Sequence, residues 1–330
     1  MTTSTAFRIH NDEQGYRTRL ESVPLPEPQT GEVLVQISHS SVNYKDALAA
    51  TGRGKILKHF PLTGGIDAAG TVIRSRDTGF REGDTVIATG WGMSFDHDGG
   101  YAEHLCAPGA WLVPTPLGLD PRRAMILGTA GFTAALALHR MQANGQNPAL
   151  GPVVVTGASG GVGSLAIDLL SQLGYEVVAV SGKASLHSWL VELGASRVLG
   201  REELPGGKRP LETAAWGGAI DNVGGAMLAR LTRTLAPHGS IAAVGLAGGA
   251  ELETTVMPFI LRGISLLGIN SVDVPPALRE EIWQHLATDW QPGHLDKILT
   301  ATVSLADLPK AFDDLLAGRS HGRILVEVTT

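Results

Sequence analysis

One run of eleven residues, Val153-Val-Val-Thr-Gly-Ala-Ser-Gly-Gly-Val-Gly163, constrains this chain more than any other. Three valines and a threonine read as a short buried strand. Four glycines follow within seven residues, and Ser164 to Leu173 then reads as an amphipathic helix. Strand, glycine loop and helix in that order are the context a dinucleotide fingerprint needs. Glycines let the backbone approach a pyrophosphate, and free N–H groups at the helix start receive its charge. The spacing departs from strict G-x-G-x-x-G, because Ser159 stands among Gly157, Gly160, Gly161 and Gly163. A tight turn with no ligand is the plain alternative.

The flanking pattern repeats. Glu176-Val-Val-Ala-Val180, Arg197 to Leu199, Gly218-Ala-Ile-Asp221 and Ser240-Ile-Ala-Ala-Val244 read as strands, with helices about Ser185–Leu193 and Ala226–Leu235. Alternation of this kind implies βαβ units and a parallel sheet. The first 120 residues are different. Glu32 to Ser38, Gly70 to Ile73 and Asp84 to Ala88 are short β-like runs, and prolines cluster at 24–28 and 108–121. The chain returns to a strand at Arg323-Ile-Leu-Val-Glu-Val328. The expected fold class is α/β: a doubly wound domain over 123–270, inserted in a β-rich domain made from 1–122 and 271–330.

Composition excludes several functions. The chain has 330 residues, 43% hydrophobic and 18% charged, so it can bury a core and is not disordered. Net charge is −6 and aromatics are 5%, which counts against nucleic acid as a partner. One cysteine, Cys106, leaves no intramolecular disulfide and no Cys-based zinc site. No signal-peptide run opens the chain, and no long charge-free apolar stretch suggests a membrane span. A soluble cytoplasmic protein is expected.

Cofactor choice is read after the second strand of the βαβ unit. An NAD site places Asp or Glu there for the ribose hydroxyls. Here the residues are Ser181-Gly-Lys183, and Arg201 follows the next strand. A hydroxyl, backbone N–H groups and cations suit a 2′-phosphate, so NADPH is preferred over NADH. The alternative is that Lys183 and Arg201 are ordinary solvated charges. No H-x-H or H-E-x-x-H spacing occurs among the eleven histidines, and no G-x-S-x-G elbow is present. No metal is expected.

Several stretches together resemble the medium-chain dehydrogenase/reductase superfamily. They are Ser41-Val-Asn-Tyr-Lys-Asp46, Gly64-Gly-Ile-Asp-Ala-Ala-Gly-Thr-Val72, Gly79 to Val86, Gly100-Tyr-Ala-Glu103, Gly128-Thr-Ala-Gly-Phe-Thr-Ala134 and the 157–163 loop. The chain is similar to the zinc-independent quinone oxidoreductase branch, and most similar to the acrylyl-CoA reductase group. Ser159 to Val162, Ser181 to Lys183, Gly245 to Gly249 and Val256 to Arg262 point that way. Zinc members carry Gly-His-Glu where this chain has Gly65-Ile-Asp67, and a cysteine where it has Asn43-Tyr44.

The resemblance implies a GroES-like catalytic domain around a Rossmann domain. It implies that Tyr44 lies near the nicotinamide and that Ser159, Gly160, Gly161 and Val162 hold the pyrophosphate. Ser181, Gly182, Lys183 and Arg201 then hold the 2′-phosphate, and Leu246, Ile260 and Ser271 line the nicotinamide end. The implied reaction is hydride addition to the β-carbon of an α,β-unsaturated acyl-CoA. Tyr44 or Asn43 would steady the enolate oxygen, Tyr44 or water would protonate the α-carbon, and Asp67 would orient its neighbours. A packing role for Tyr44 and a structural role for Asp67 stay open. Lys45 and Asp46 read as a solvated loop pair without a role. Arg53, Lys55 and Lys58 are candidates for CoA contact or plain surface. Rivals are an NADPH:quinone reductase and a non-catalytic nucleotide-binding protein. The apolar stretch Leu261 to Ser271 resembles a late strand through which such chains pair, so a homodimer is expected.

Overall fold

The structure is a computed structural model that describes residues 3–328. Along the chain run β1 (Thr3–Asp12), β2 (Gly15–Pro24), β3 (Glu32–Ser41), α1 (Tyr44–Thr51), β4 (Leu62–Thr63), β5 (Asp67–Ser75), β6 (Thr85–Thr89), β7 (His104–Pro108) and β8 (Leu112–Pro114). Next come α2 (Pro121–Ala143), β9 (Val153–Thr156), α3 (Gly161–Gln172), β10 (Val177–Val180), α4 (His187–Glu192), β11 (Arg197–Leu199), β12 (Trp216–Asp221), α5 (Gly225–Thr234) and β13 (Leu235–Ala243). The chain ends with α6 (Met257–Arg262), β14 (Ser265–Gly268), α7 (Pro276–Ala287), α8 (Leu295–Ile298), β15 (Leu299–Ser304), α9 (Leu308–Leu316) and β16 (Arg323–Glu327).

Two compact units result. One comprises Met1–Thr129, Val272–Ala287 and Leu299–Thr330; the other comprises Ala130–Ser271 and Thr288–Ile298. The first unit holds a three-stranded sheet, β2-β1-β4, and a seven-stranded sheet ordered β15-β16-β3-β5-β6-β8, with β7 also on β3. Strand β16 pairs antiparallel with the end of β3, Leu325 facing Ser41, so the two ends of the chain share one sheet. Alternation along β3 places Val33, Val35 and Ile37 in one apolar layer with Val72, Val86, Met93 and Leu105. A second layer joins Phe7, Ile9, Tyr101, Leu308, Phe312 and Val326. Phe7 meets Tyr101 and Phe312 edge-on at 6.2 and 6.0 Å between ring centres.

The second unit holds a sheet ordered β11-β10-β9-β12-β13-β14, with every pair parallel. Counting its strands along the chain gives 3-2-1-4-5-6, the doubly wound dinucleotide-binding order. Its central strands are fully buried, which explains why Val153–Thr156 and Val177–Val180 read as unbroken apolar runs rather than alternating ones. Trp216, Leu204, Leu231 and Ile264 fill one face.

Several local expectations change. Helix α2 is long and apolar enough to cross a membrane, but 83% of its most apolar window is buried within the protein. It is also interrupted at Gly128, where φ is 50° and ψ is −156°. Leu261–Ser271 is not one strand: α6 ends at Arg262, Gly263 turns with φ of 60°, and only Ser265–Gly268 is extended. Residues 288–298 belong with the doubly wound unit because of a buried charge. Asp168, in the middle of α3, accepts hydrogen bonds from the His294 backbone N–H (2.8 Å), His294 Nδ1 (3.0 Å) and Gln172 Nε2 (2.8 Å).

Asp168→Ala strands these donors. The expected loss is about 2–3 kcal/mol in urea unfolding, the usual cost of losing hydrogen bonds to a buried charge, while Gln172→Ala costs under about 1 kcal/mol. Equal losses from the two variants would contradict this account of the segment.

Candidate active site

In the second unit the sequence dictates a cradle. Strand β9 ends at Thr156, and Gly157 turns with φ of +59°. A side chain on Gly163 would place its Cβ 2.5 Å from Gly157 O and 2.7 Å from Ala158 Cα, so α3 packs this close to the loop only without one. Helix α3 has Gly160 as N-cap, makes no side-chain cap bond and carries no acid in its first turn. Its leading N–H groups therefore keep their positive end for an anion. Ser159 is buried, Gly160 is exposed, and Gly161 and Val162 are half-buried.

Beyond β10, Ser181 Oγ accepts from the Lys183 N–H (3.1 Å) and lies 3.5 Å from Ser159 Oγ. Arg201 rests on Gly182, where an added Cβ would come 2.8 Å from its Nε. No carboxylate pairs with Arg201 among the described residues. Lys183 has its pKa pushed down, first by burial and then by the charge of Arg201. Arg201 beside a lysine and a serine is a set that a phosphate monoester fits.

At the point where strand order reverses, Asp221 braces the loops. It accepts from Thr156 Oγ1 (2.6 Å) and the Gly224 N–H (2.8 Å), and burial raises its pKa. Asn222 donates to Thr156 O (2.8 Å), and its buried Oδ1 has no partner among the described residues. Ligands of doubly wound sheets sit at this end. An uncapped helix start, the Arg201 guanidinium beside Lys183 and an orphaned amide oxygen all fit a phosphorylated dinucleotide. Leu246 is 67% exposed on the loop beside it, where Gly248 N–H meets Val223 O at 2.7 Å. Ile260 is 73% exposed on α6, and Ser271 is half-buried past β14.

The first unit carries a buried polar cluster. Asp67 is wholly buried at the head of β5. Its carboxylate accepts from Ser41 Oγ (2.6 Å), Asn43 Nδ2 (2.7 Å), the Thr129 N–H (2.9 Å) and Thr129 Oγ1 (2.5 Å). Asp46 accepts from the Asn43 N–H (3.0 Å), Ile66 N–H (3.0 Å) and Tyr101 Oη (3.0 Å). Burial, and then the charge of Asp67, push the Asp46 pKa up to about 7. Arg323, 3% exposed, donates to Ile126 O (2.8 Å), Val42 O (3.1 Å), Asn43 Oδ1 (3.2 Å) and Ser41 Oγ (2.8 Å). Gly128 makes room, since a Cβ there would lie 2.6 Å from both Asp67 Oδ2 and Ser41 Oγ. Tyr44 alone of these neighbours is open, 49% exposed as the first residue of α1.

Two expectations need correction. Asp46 is not half of a solvated loop pair; it is 1% exposed and closes the capping box of α1 with Asn43. Asn43 is poorly placed to donate to a substrate, because its amide hydrogens go to Asp67 and Asp46 and its oxygen accepts from Arg323. Ser41, Thr129 and Tyr101 lie in the stretches that carry the resemblance but have no role there, and Arg323 lies outside them. The one signal for Arg323 is a charge directly ahead of the apolar run Ile324-Leu-Val326.

Residues 29–117 match the family described as alcohol dehydrogenase GroES-like domain, and residues 161–288 match that described as zinc-binding dehydrogenase. The chain is 50% identical over 309 residues to the probable acrylyl-CoA reductase AcuI of Escherichia coli strain K12, covering 94% of each protein. It is 46% identical to the putative quinone oxidoreductase YhfP of Bacillus subtilis, covering 91% of each. The YhfP crystal structure with NAD bound superposes with a TM-score of 0.96, covering 99% of this chain and all of that one. The YhdH oxidoreductase of Salmonella enterica in complex with NADP does so at 0.94 with 46% identity, covering 98% of this chain and all of that one.

The zinc in one family description does not suit these residues. Both Asp67 oxygens are occupied by protein donors, and no group of three His, Cys, Asp or Glu side chains among the described residues could hold a metal. Cys106 lies on β7, 3.6 Å from Glu32 Oε2, and burial pushes its thiol up to about 12. By fold, domain pair and near full-length identity, the chain belongs to the medium-chain dehydrogenase/reductase superfamily, in the group of the AcuI acrylyl-CoA reductases and the YhdH and YhfP oxidoreductases.

Proposed function

We propose that this protein uses NADPH to reduce the carbon–carbon double bond of a short α,β-unsaturated acyl-CoA, turning acryloyl-CoA into propanoyl-CoA without a metal. The observation that carries the substrate class is the 50% identity to a protein named as an acrylyl-CoA reductase. The choice of NADPH rests on Ser181, Lys183 and Arg201, gathered past β10 with no acid directly after that strand, and on the NADP bound to the Salmonella relative. A thioester activates its own alkene, so the chemistry asks for no Lewis acid.

When bound, the cofactor supplies a hydride to the β-carbon. The chain must then meet the charge that develops on the thioester oxygen and see a proton delivered to the α-carbon. Tyr44 is our donor, because its hydroxyl is the group of this cluster left open to a substrate; water is the other source of the proton. Asn43 and Asp67 act as positioning residues, fixing the start of the helix that carries Tyr44. A quinone is the rival acceptor, on the strength of the name given to YhfP. The single cysteine suits a reducing cytoplasm.

We also infer a homodimer. Among the described residues strand β14 pairs only with β13 and leaves a sheet edge, and Val256, Ile260 and Leu261 beside it in sequence are 62–73% exposed. An open edge with apolar neighbours is a template for a second copy.

Loss of reduced-nicotinamide absorbance should be fast with acryloyl-CoA and NADPH, and slow with NADH or with benzoquinone. Turnover of the quinone alone would move the chain to the rival reading. Lys183→Ala and Arg201→Ala should each weaken NADPH binding about tenfold and leave NADH nearly unchanged, the size of one charge-assisted contact. Tyr44→Phe should lower kcat about a hundredfold with NADPH affinity intact, as expected for a lost general acid; wild-type kcat would remove Tyr44 from the chemistry. Light scattering should give twice the chain mass, and Ile260→Asp with Leu261→Asp should halve it.

A further inference from the structure

The segment that follows Tyr44 carries charge the polar cluster does not use. From Lys45 to Lys58 there are four cations, Lys45, Arg53, Lys55 and Lys58, and one acid, Asp46, which is buried and turned inward. Two of the cations converge. Lys58 Nζ stands 4.4 Å from the centre of the Phe95 ring, and Lys45 Nζ stands 5.7 Å from the same centre. Asp96 pairs with Lys58 at 2.9 Å. No carboxylate pairs with Lys45, Arg53 or Lys55 among the described residues. Lys45 is half-buried, and burial pushes its pKa down. An ammonium withdrawn from water is unfavourable by itself, and the charge of Asp46 and a π face offset only part of that.

The platform is built rather than incidental. The Lys58 N–H bonds Phe95 O at 2.8 Å, and the N–H groups of Phe95, Asp96 and His97 converge on Gly92 O at 3.1, 3.1 and 3.0 Å. Trp91 and Ser94, in the same loop, hold φ values of 53° and 54°. Side chains pay for that left-handed backbone, and such strain collects at ligand clamps. Arg279, itself 1% exposed, lies 4.7 Å over the Trp91 ring and bonds Thr89 O at 2.9 Å, which pins the loop at its root.

We propose that Lys45 and Lys58, carried on the ring of Phe95, form a docking platform for the diphosphate of the coenzyme-A half of the substrate. The proposal rests on the thioester reading above. It explains how a chain of net charge −6 accepts a polyanionic substrate. It also gives the enzyme a means of telling acyl-CoA from a quinone or a bare thioester, through groups that take no part in the chemistry. NADPH carries a diphosphate too, so the test must separate the two sources.

The decisive comparison is acryloyl-CoA against acryloyl-pantetheine, which keeps the thioester and lacks the diphosphate. In wild type the KM for the pantetheine thioester should exceed that for the CoA thioester. Lys45→Met should shrink that KM ratio about tenfold, and Lys45→Arg should preserve it. Lys58→Met should act in the same direction. A lesion that merely disturbed α1 would change both thioesters alike, lower kcat and leave the ratio intact, and that result would overturn the proposal. So would a rise in NADPH Kd matching the rise for CoA. Binding of free CoA, followed by calorimetry, covers the case of no turnover. If wild type reduces neither thioester but CoA binds, weakens with salt and weakens about tenfold in Lys45→Met, the platform stands and the thioester reading falls. If CoA binds equally to both proteins, the platform falls.

Discussion

A guanidinium and two carboxylates, all buried together, set the terms for the first unit. Removing such charges from water costs several kcal/mol each unless every donor and acceptor is matched. Arg323 meets that demand with two backbone carbonyls, a side-chain amide oxygen and a hydroxyl. Asp67 meets it with an amide, a backbone N–H and two hydroxyls. The cluster draws on five stretches, residues 41–46, 66–67, Tyr101, 126–129 and the head of the last strand. The cluster is complete only when both ends of the chain are folded into one sheet. Breaking one member leaves the others buried and unpaired, so the cluster specifies the arrangement more than it stabilises it.

The same cluster explains how a family built around metal-bearing relatives works with these residues. Asn43 is held by a cation on its oxygen and by carboxylates on its nitrogen, so its amide has one orientation. It caps α1, and α1 begins with Tyr44. A hydrogen-bonded lattice thereby fixes the backbone of the one open hydroxyl in the neighbourhood. Asp46, raised to about 7, takes a proton near neutrality, and its place beside Asp67 explains why: two carboxylates this deep cannot both be charged cheaply.

Much of the second unit was legible because its rules are local. Glycines at 157 and 163 are demanded by backbone geometry within a few residues, and unbroken valine runs mark strands buried on both faces. The lack of a carboxylate after β10 was readable for the same reason. The first unit was legible in its strands but not in its chemistry. Nothing near Asp46 in sequence says that Tyr101 and Ile66 will close over it, and nothing near Arg323 announces Ser41 or Ile126. Burial of a charge is a long-range fact. The stretch after Leu261 misread for the opposite reason: its composition suits either element, and the left-handed turn at Gly263 decides where the helix stops.

Clustered cations are common to the two units. Lys183 and Arg201 lie together in one, Lys45 and Lys58 share a ring in the other, and in each a lysine is pushed toward losing its proton. The overall negative charge does not cancel this. Charges more than about 10 Å apart across water are largely screened at physiological salt, so an incoming phosphate responds to the few cations within that range. The net charge instead discourages indiscriminate polyanion binding elsewhere on the surface. A partly desolvated ammonium beside a second cation or on a ring gains from an anionic ligand. Two such places suit the proposed reaction, which brings a phosphorylated dinucleotide to a phosphorylated thioester.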